Sequence, residues 1–182
     1  MNDIWGWTDP LDGKEYALLG RTTGTAFIDI TDPNNPVYLG DLPTHTVSSL
    51  WRDIKVYSDH AFIVSEASGH GMQVFDLTTL RNVPNPPVTF SEDAHYSGFS
   101  NCHNIAINEE SERAYPIGAN TFSGGLNIID ISNPLNPTLI GSFAEDGYSH
   151  DVLVVKYRGP AARSAGQELA GQEPAGQEPA GQ

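Results

Sequence analysis

Apolar and polar positions alternate over short spans along most of the chain, and the clearest instance is GGLNIIDISNPLNPTLIGSF at 124–143. It reads as a strand, a polar turn and a second strand. Two further stretches share its plan: GTAFIDITDPNNPVYLGDL from Gly24 and GMQVFDLTTLRNVPNPPVTF from Gly71. In each, a glycine precedes an apolar run that ends in an acid (Asp29, Asp76, Asp130), and a Pro/Asn turn follows before Pro36, Pro87 or Pro137 opens a second apolar run. The acids stand 47 and 54 residues apart. Self-similarity at such a period marks an array of supersecondary units, propeller blades among them.

The intervals between these copies hold the rest of the unit. DIWGWTD (3–9), DIKVYSD (53–59), HNIAINEE (103–110) and HDVLVVKY (150–157) each open a short strand pattern, and Asp3, Asp53, Asn104 and Asp151 align at spacings of 50, 51 and 47. EYALLGRT, HAFIVSEA and RAYPIGAN supply one more β run apiece. β-branched and aromatic residues at period two, punctuated by Asp-Pro, Asn-Pro and Gly, favour strands throughout, and no stretch carries a helical period. The predicted fold is therefore all-β: a partial β-propeller of about three four-stranded antiparallel blades, near 2–42, 53–92 and 103–143, with the first strand of a fourth beginning at His150. Open blade edges predict self-association. Residues 1–160 form the propeller segment, and 161–182 turn to an AGQEP repeat without aromatic or β-branched residues, which predicts a disordered C-terminal tail.

Charge narrows the partners. Acidic residues outnumber basic ones 23 to 9, and the formal charge of −14 opposes binding to nucleic acid or to anionic membrane surfaces and favours cations. No apolar run is long enough for membrane insertion, and MNDIWGWTDP lacks the basic and apolar regions of a signal peptide. The single cysteine, Cys102, cannot form an internal disulfide.

Candidate chemistry gathers where the innermost strands begin. Asp3, Asp53, Asn104 and Asp151 converge there on one end of the channel, as oxygen ligands for calcium or another divalent cation or as braces of the blade-to-blade loops. His103 and His150 occupy one repeat position, and Arg52 the equivalent place in the earlier blade; with Asp151 the histidines supply metal ligands or a general base. Cys102 beside His103 makes a poor thiol–base pair, because adjacent strand residues face opposite ways. SGHG (68–71) and FSGGL (122–126) read as turns in which glycine takes positive φ, with Glu66 and His70 flanking the first and able to reach a ligand. His95 lies near these histidines in sequence, and Tyr96, Phe99 and Tyr148 sit on loops as a recognition surface.

SEASGHGMQVFDLTTLRNV, VTFSEDAHYSGFSNCHNIAINEE and SGGLNIIDISNPLNPTLIGSFAEDGYSHDVLVVKYRGP resemble the choice-of-anchor B proteins, whose units are also described as LVIVD repeats. The resemblance covers about 1–160 and includes the irregular joins between blades. It implies a propeller from a mainly bacterial group of exported or surface-attached proteins, with an export signal upstream and further repeats downstream of YRGP. The expected function is a non-catalytic extracellular or cell-surface binding module for a protein or polysaccharide, holding a structural cation. The rival is a metal-assisted, hydrolase-like enzyme at the channel end.

Overall fold

The computed structural model describes residues 2–155. The strands follow the repeat in chain order: β1 (Ile4–Thr8), β2 (Glu15–Arg21), β3 (Gly24–Asp29), β4 (Val37–Pro43), β5 (Arg52–Tyr57), β6 (His60–Ser65), β7 (Met72–Asp76), β8 (Val88–Thr89), β9 (Ala94–Tyr96), β10 (Asn104–Asn108), β11 (Arg113–Ile117), β12 (Leu126–Asp130) and β13 (Thr138–Phe143). Three antiparallel meanders result, β1-β2-β3-β4, β5-β6-β7-β9 and β10-β11-β12-β13. Their first strands lie side by side as the inner strands of a partial propeller.

One apolar run ends up in an unexpected sheet. Val88–Thr89 does form a strand after Pro87, but it pairs in parallel with Gly40–Asp41 of β4 and so extends the first blade. The outer strand of the second blade is β9, paired with Met72–Val74. The turn after β7 explains the detour: Asp76 caps a 3-10 segment, Leu77–Asn82, whose Leu77 and Leu80 are buried in the core shared with the first blade. Residues 151–155 belong to no strand, so the fourth blade's first strand is not formed among the described residues. The AGQEP segment lies outside those residues.

The apolar alternation has a direct outcome in packing. In β6, Ala61 and Ile63 point into a core with the first blade, alongside Leu18, Phe27, Ile54 and Phe75. Phe62 and Val64 point the other way, into a core with Met72, Phe99, Ile105 and Ile129. A strand covered on both faces needs a continuous apolar run, which AFIV provides. The outer blades are covered on one side only. Ile4, Val37 and Tyr38 of the first, and Leu139, Ile140 and Phe143 of the third, remain exposed. No helix among the described residues is long and apolar enough to cross a membrane.

Candidate functional site

The aligned acids act first as a brace. Asp3 Oδ2 accepts from the Ile54 backbone N–H of the next inner strand at 2.8 Å, and Asp53 Oδ2 accepts from Ile105 N–H at the same distance. Each carboxylate thus ties one blade to its successor. At the third step, Asn104 donates from Nδ2 to Asp151 Oδ1 at 3.3 Å, while Asp151 accepts from its neighbour's N–H, that of Val152, at 2.8 Å. An amide suits this position, because a carboxylate there would face the Asp151 carboxylate. Asp53 is buried and ion-paired to Lys55 at 2.6 Å. Burial nevertheless pushes its carboxyl up to about 6, against the pull of Lys55 and Ile105 N–H. Among the described residues no three His, Cys, Asp or Glu side chains are placed to hold a metal ion. The expected set for calcium, Asp3, Asp53, Asn104 and Asp151, and the expected metal ligands His103 and His150 therefore form no ligand cluster; the four brace residues are engaged with backbone N–H groups or with one another.

Beside the brace opens a pocket of about 560 Å³. Asp3, Asp53 and Asn104 line its inner wall, and Glu66, His103, Tyr148 and His150 line the rest together with Asn2, Arg52 and Trp51. Three turns assemble it. Trp51 and Arg52 lead into β5, Glu66 follows β6 directly, and His103 precedes β10. The Tyr148–His150 segment is pinned by Ser149 N–H donating to Gly124 O at 3.0 Å. Glycine is required at two points beneath it. Gly118 (φ +61°) passes where a Cβ would meet His103 Cβ at 2.6 Å, and Gly124 (φ +79°) where a Cβ would meet the Tyr148 ring at 2.6 Å. The FSGGL turn thus has the positive φ expected of it, and that backbone supports the pocket.

The histidine pair is held by a carboxylate on another blade. His103 Nδ1–H donates to Glu66 Oε1 at 2.6 Å, and the His103 and His150 rings lie 4.3 Å apart between centroids. Asp151, expected to polarise a histidine base, bonds Asn104 and Val152 instead. His103 Nε2, both nitrogens of His150, Trp51 Nε1 and the Tyr148 hydroxyl hydrogen-bond to no described residue. Trp51 is 48% exposed and Tyr148 59%.

The remaining candidates lie elsewhere. His70 is fully buried, contrary to the expected ligand-reaching loop residue. Arg52 Nη1–H donates to its Nε2 at 2.8 Å, and its Nδ1–H donates to Gly71 O at 3.1 Å. Burial, reinforced by the adjacent guanidinium, depresses the His70 imidazole to about 4. Arg52 also donates to Arg21 O and Thr44 Oγ1, so all three of its side-chain partners are neutral, and burial lowers it to about 10. His95 stacks on His45 at 3.6 Å and donates from Nε2 to His70 O at 2.7 Å. Phe99 is buried in the core between the second and third blades and so does not belong to the expected recognition surface, while the half-buried Tyr96 packs edge-on against it. Cys102 is buried, its thiol pushed up to about 12 by burial. Neither Trp51 nor Asn2 is among the residues expected from the sequence; the tryptophan's place just before an aligned Arg/Asp pair is the signal that points to it.

Residues 121–145, from the FSGGL turn through β13, match the LVIVD repeat. No curated protein matches the sequence significantly. The repeat match and the three blades together make this a repeat-built, propeller-like module.

Proposed function

We propose that the chain is the ligand-binding part of a propeller of the choice-of-anchor B type, and that the channel-end pocket takes a neutral or amino-bearing saccharide. The observation that carries this reading is the combination of two exposed aromatic rings, Trp51 and Tyr148, with uncommitted donors and acceptors on one pocket wall. Ring faces stack against the apolar faces of sugars, while mixed polar groups match hydroxyls that both donate and accept. Asp3 and Glu66 on the wall, with the formal charge of −14, disfavour acidic polymers. An extracellular or cell-surface location belongs to the same proposal and is supported by the resemblance in the blade joins.

Titration calorimetry with neutral oligosaccharides tests it. Saturable binding is expected, with Trp51→Ala weakening affinity by about tenfold or more, the loss of an aromatic anchor. Binding that survives Trp51→Ala and Tyr148→Ala together would place the ligand elsewhere.

A further inference from the structure

We propose that Glu66 and His103 form a general-base dyad that hydrolyses an ester carried by the pocket's ligand, with water as the nucleophile. The proposal rests on the pocket being the ligand site. The 2.6 Å bond from His103 Nδ1–H to Glu66 Oε1 sets the tautomer and leaves the lone pair on Nε2. That nitrogen has no partner among the described residues, on a ring that lines the pocket. A carboxylate that orients an imidazole so that its far nitrogen takes a proton is the logic of hydrolytic base catalysis.

The attacking group follows from what surrounds the base. The pocket wall holds no Ser, Thr or Cys side chain, and the adjacent Cys102 thiol is buried, donating to Asn104 O and Ile117 O. Water is the remaining nucleophile. Its proton passes to His103 Nε2 as its oxygen bonds to the ester carbonyl carbon, and the carbonyl π pair moves onto oxygen. Trp51 Nε1–H and the Tyr148 hydroxyl are uncommitted donors on the same wall for that oxyanion. Collapse then breaks the ester C–O bond, and Nε2–H returns its proton to the leaving alkoxide. One ester and one water become one acid and one alcohol, and the dyad ends as it began. An ester fits better than a glycosidic bond, which is cleaved between two available carboxyl groups; here Glu66 is held by His103, Asp53 by Lys55 and Asp3 by the Ile54 N–H.

The test uses the full chain with p-nitrophenyl acetate and with an O-acetylated xylo-oligosaccharide, following acetate release. Turnover above buffer is expected. His103→Gln lowers it by about 10²- to 10⁴-fold, the range of a positioned general base. Imidazole added to His103→Gly restores part of the rate, which a purely structural role for the ring would not allow. Glu66→Gln gives a smaller loss, and unchanged thermal unfolding of the variants excludes misfolding as the cause. Wild-type turnover equal to buffer, or His103→Gln at the wild-type rate, overturns the dyad. Calorimetric binding of the deacetylated oligosaccharide separates the two ideas: binding without acetate release removes the dyad and leaves the binding site standing. Aryl ester hydrolysis that depends on His103 without saccharide binding supports the dyad and removes the saccharide.

Discussion

Arg52 and His103 occupy the same repeat position, each just before the brace residue of its blade, and the two junctions they serve have opposite character. At the first, Arg52 turns inward and bonds His70, Thr44 and Arg21, and both Arg52 and His70 are sealed from solvent. At the second, His103 meets Glu66 at a pocket, with side chains 16% and 35% exposed. The repeat fixes where a side chain starts, and its length and chemistry decide whether the junction closes. A long guanidinium reaches the loops of the preceding blade and fills the space between them. The shorter imidazole also reaches the preceding blade, at Glu66, but it does so on the wall of an open pocket rather than in a sealed interior.

The largest effect expected from this contrast is on stability. Arg52→Ala leaves His70 Nε2, Thr44 Oγ1 and Arg21 O without their donors and opens a cavity, at a cost of about 3 kcal/mol or more. His103→Ala breaks one partly exposed hydrogen bond to Glu66 and costs about 1 kcal/mol. Urea unfolding at constant m-value measures both. Equal losses would mean that the two junctions are energetically alike and that the sealed one has no special role.

Acid distinguishes the junctions next. His70 falls from 6.5 in the unfolded chain to about 4 when folded. The unfolded state therefore binds more protons between these values, so the contribution of His70 is fully present above about pH 6.5 and is lost as pH falls through 4. The shift corresponds to about 3 kcal/mol. Asp53 works in the opposite sense, because its folded value is raised to about 6 and protonation favours the folded form as pH drops. His70→Gln isolates the histidine, since Asp53, His45, His95 and Glu92 are common to both proteins. The stability gap between wild type and variant should close as pH falls from 6.5 to 4. A gap that stays constant would show that His70 does not titrate in this window.

Much of this was legible in the sequence, and the exceptions have physical causes. Period-two alternation and the recurring Asp/Asn positions locate the inner strands, because both follow from local geometry. The destination of Val88–Thr89 does not: a two-residue strand has too little pattern to specify its partner, and the buried Leu77 and Leu80 upstream decide it. The site shows the same division. His103, His150, Glu66 and Tyr148 were legible as candidates from turn position, yet the Glu66–His103 bond joins residues 37 apart and depends on how two blades stack. His70 and Phe99 looked like loop residues, and only tertiary packing buries them.

The brace offers the smallest and most local version of the comparison. Asp53 and Asn104 sit at one repeat position in consecutive blades, but Asp53 holds the Ile105 N–H from a buried site whereas Asn104 reaches Asp151 through an exposed bond at 3.3 Å. Asp53→Ala should cost about 1–2 kcal/mol, the worth of a buried hydrogen bond to a charged acceptor less the relief of removing a buried carboxylate. Asn104→Ala should change stability by about 0.5 kcal/mol or less. Amide hydrogen exchange adds a residue-specific check, since Ile105 N–H should lose protection in Asp53→Ala while the rest of β10 keeps its own. If Asn104→Ala proved the costlier change, the third step of the brace, from Asn104 to Asp151, would be a tighter structure than its exposed bond implies.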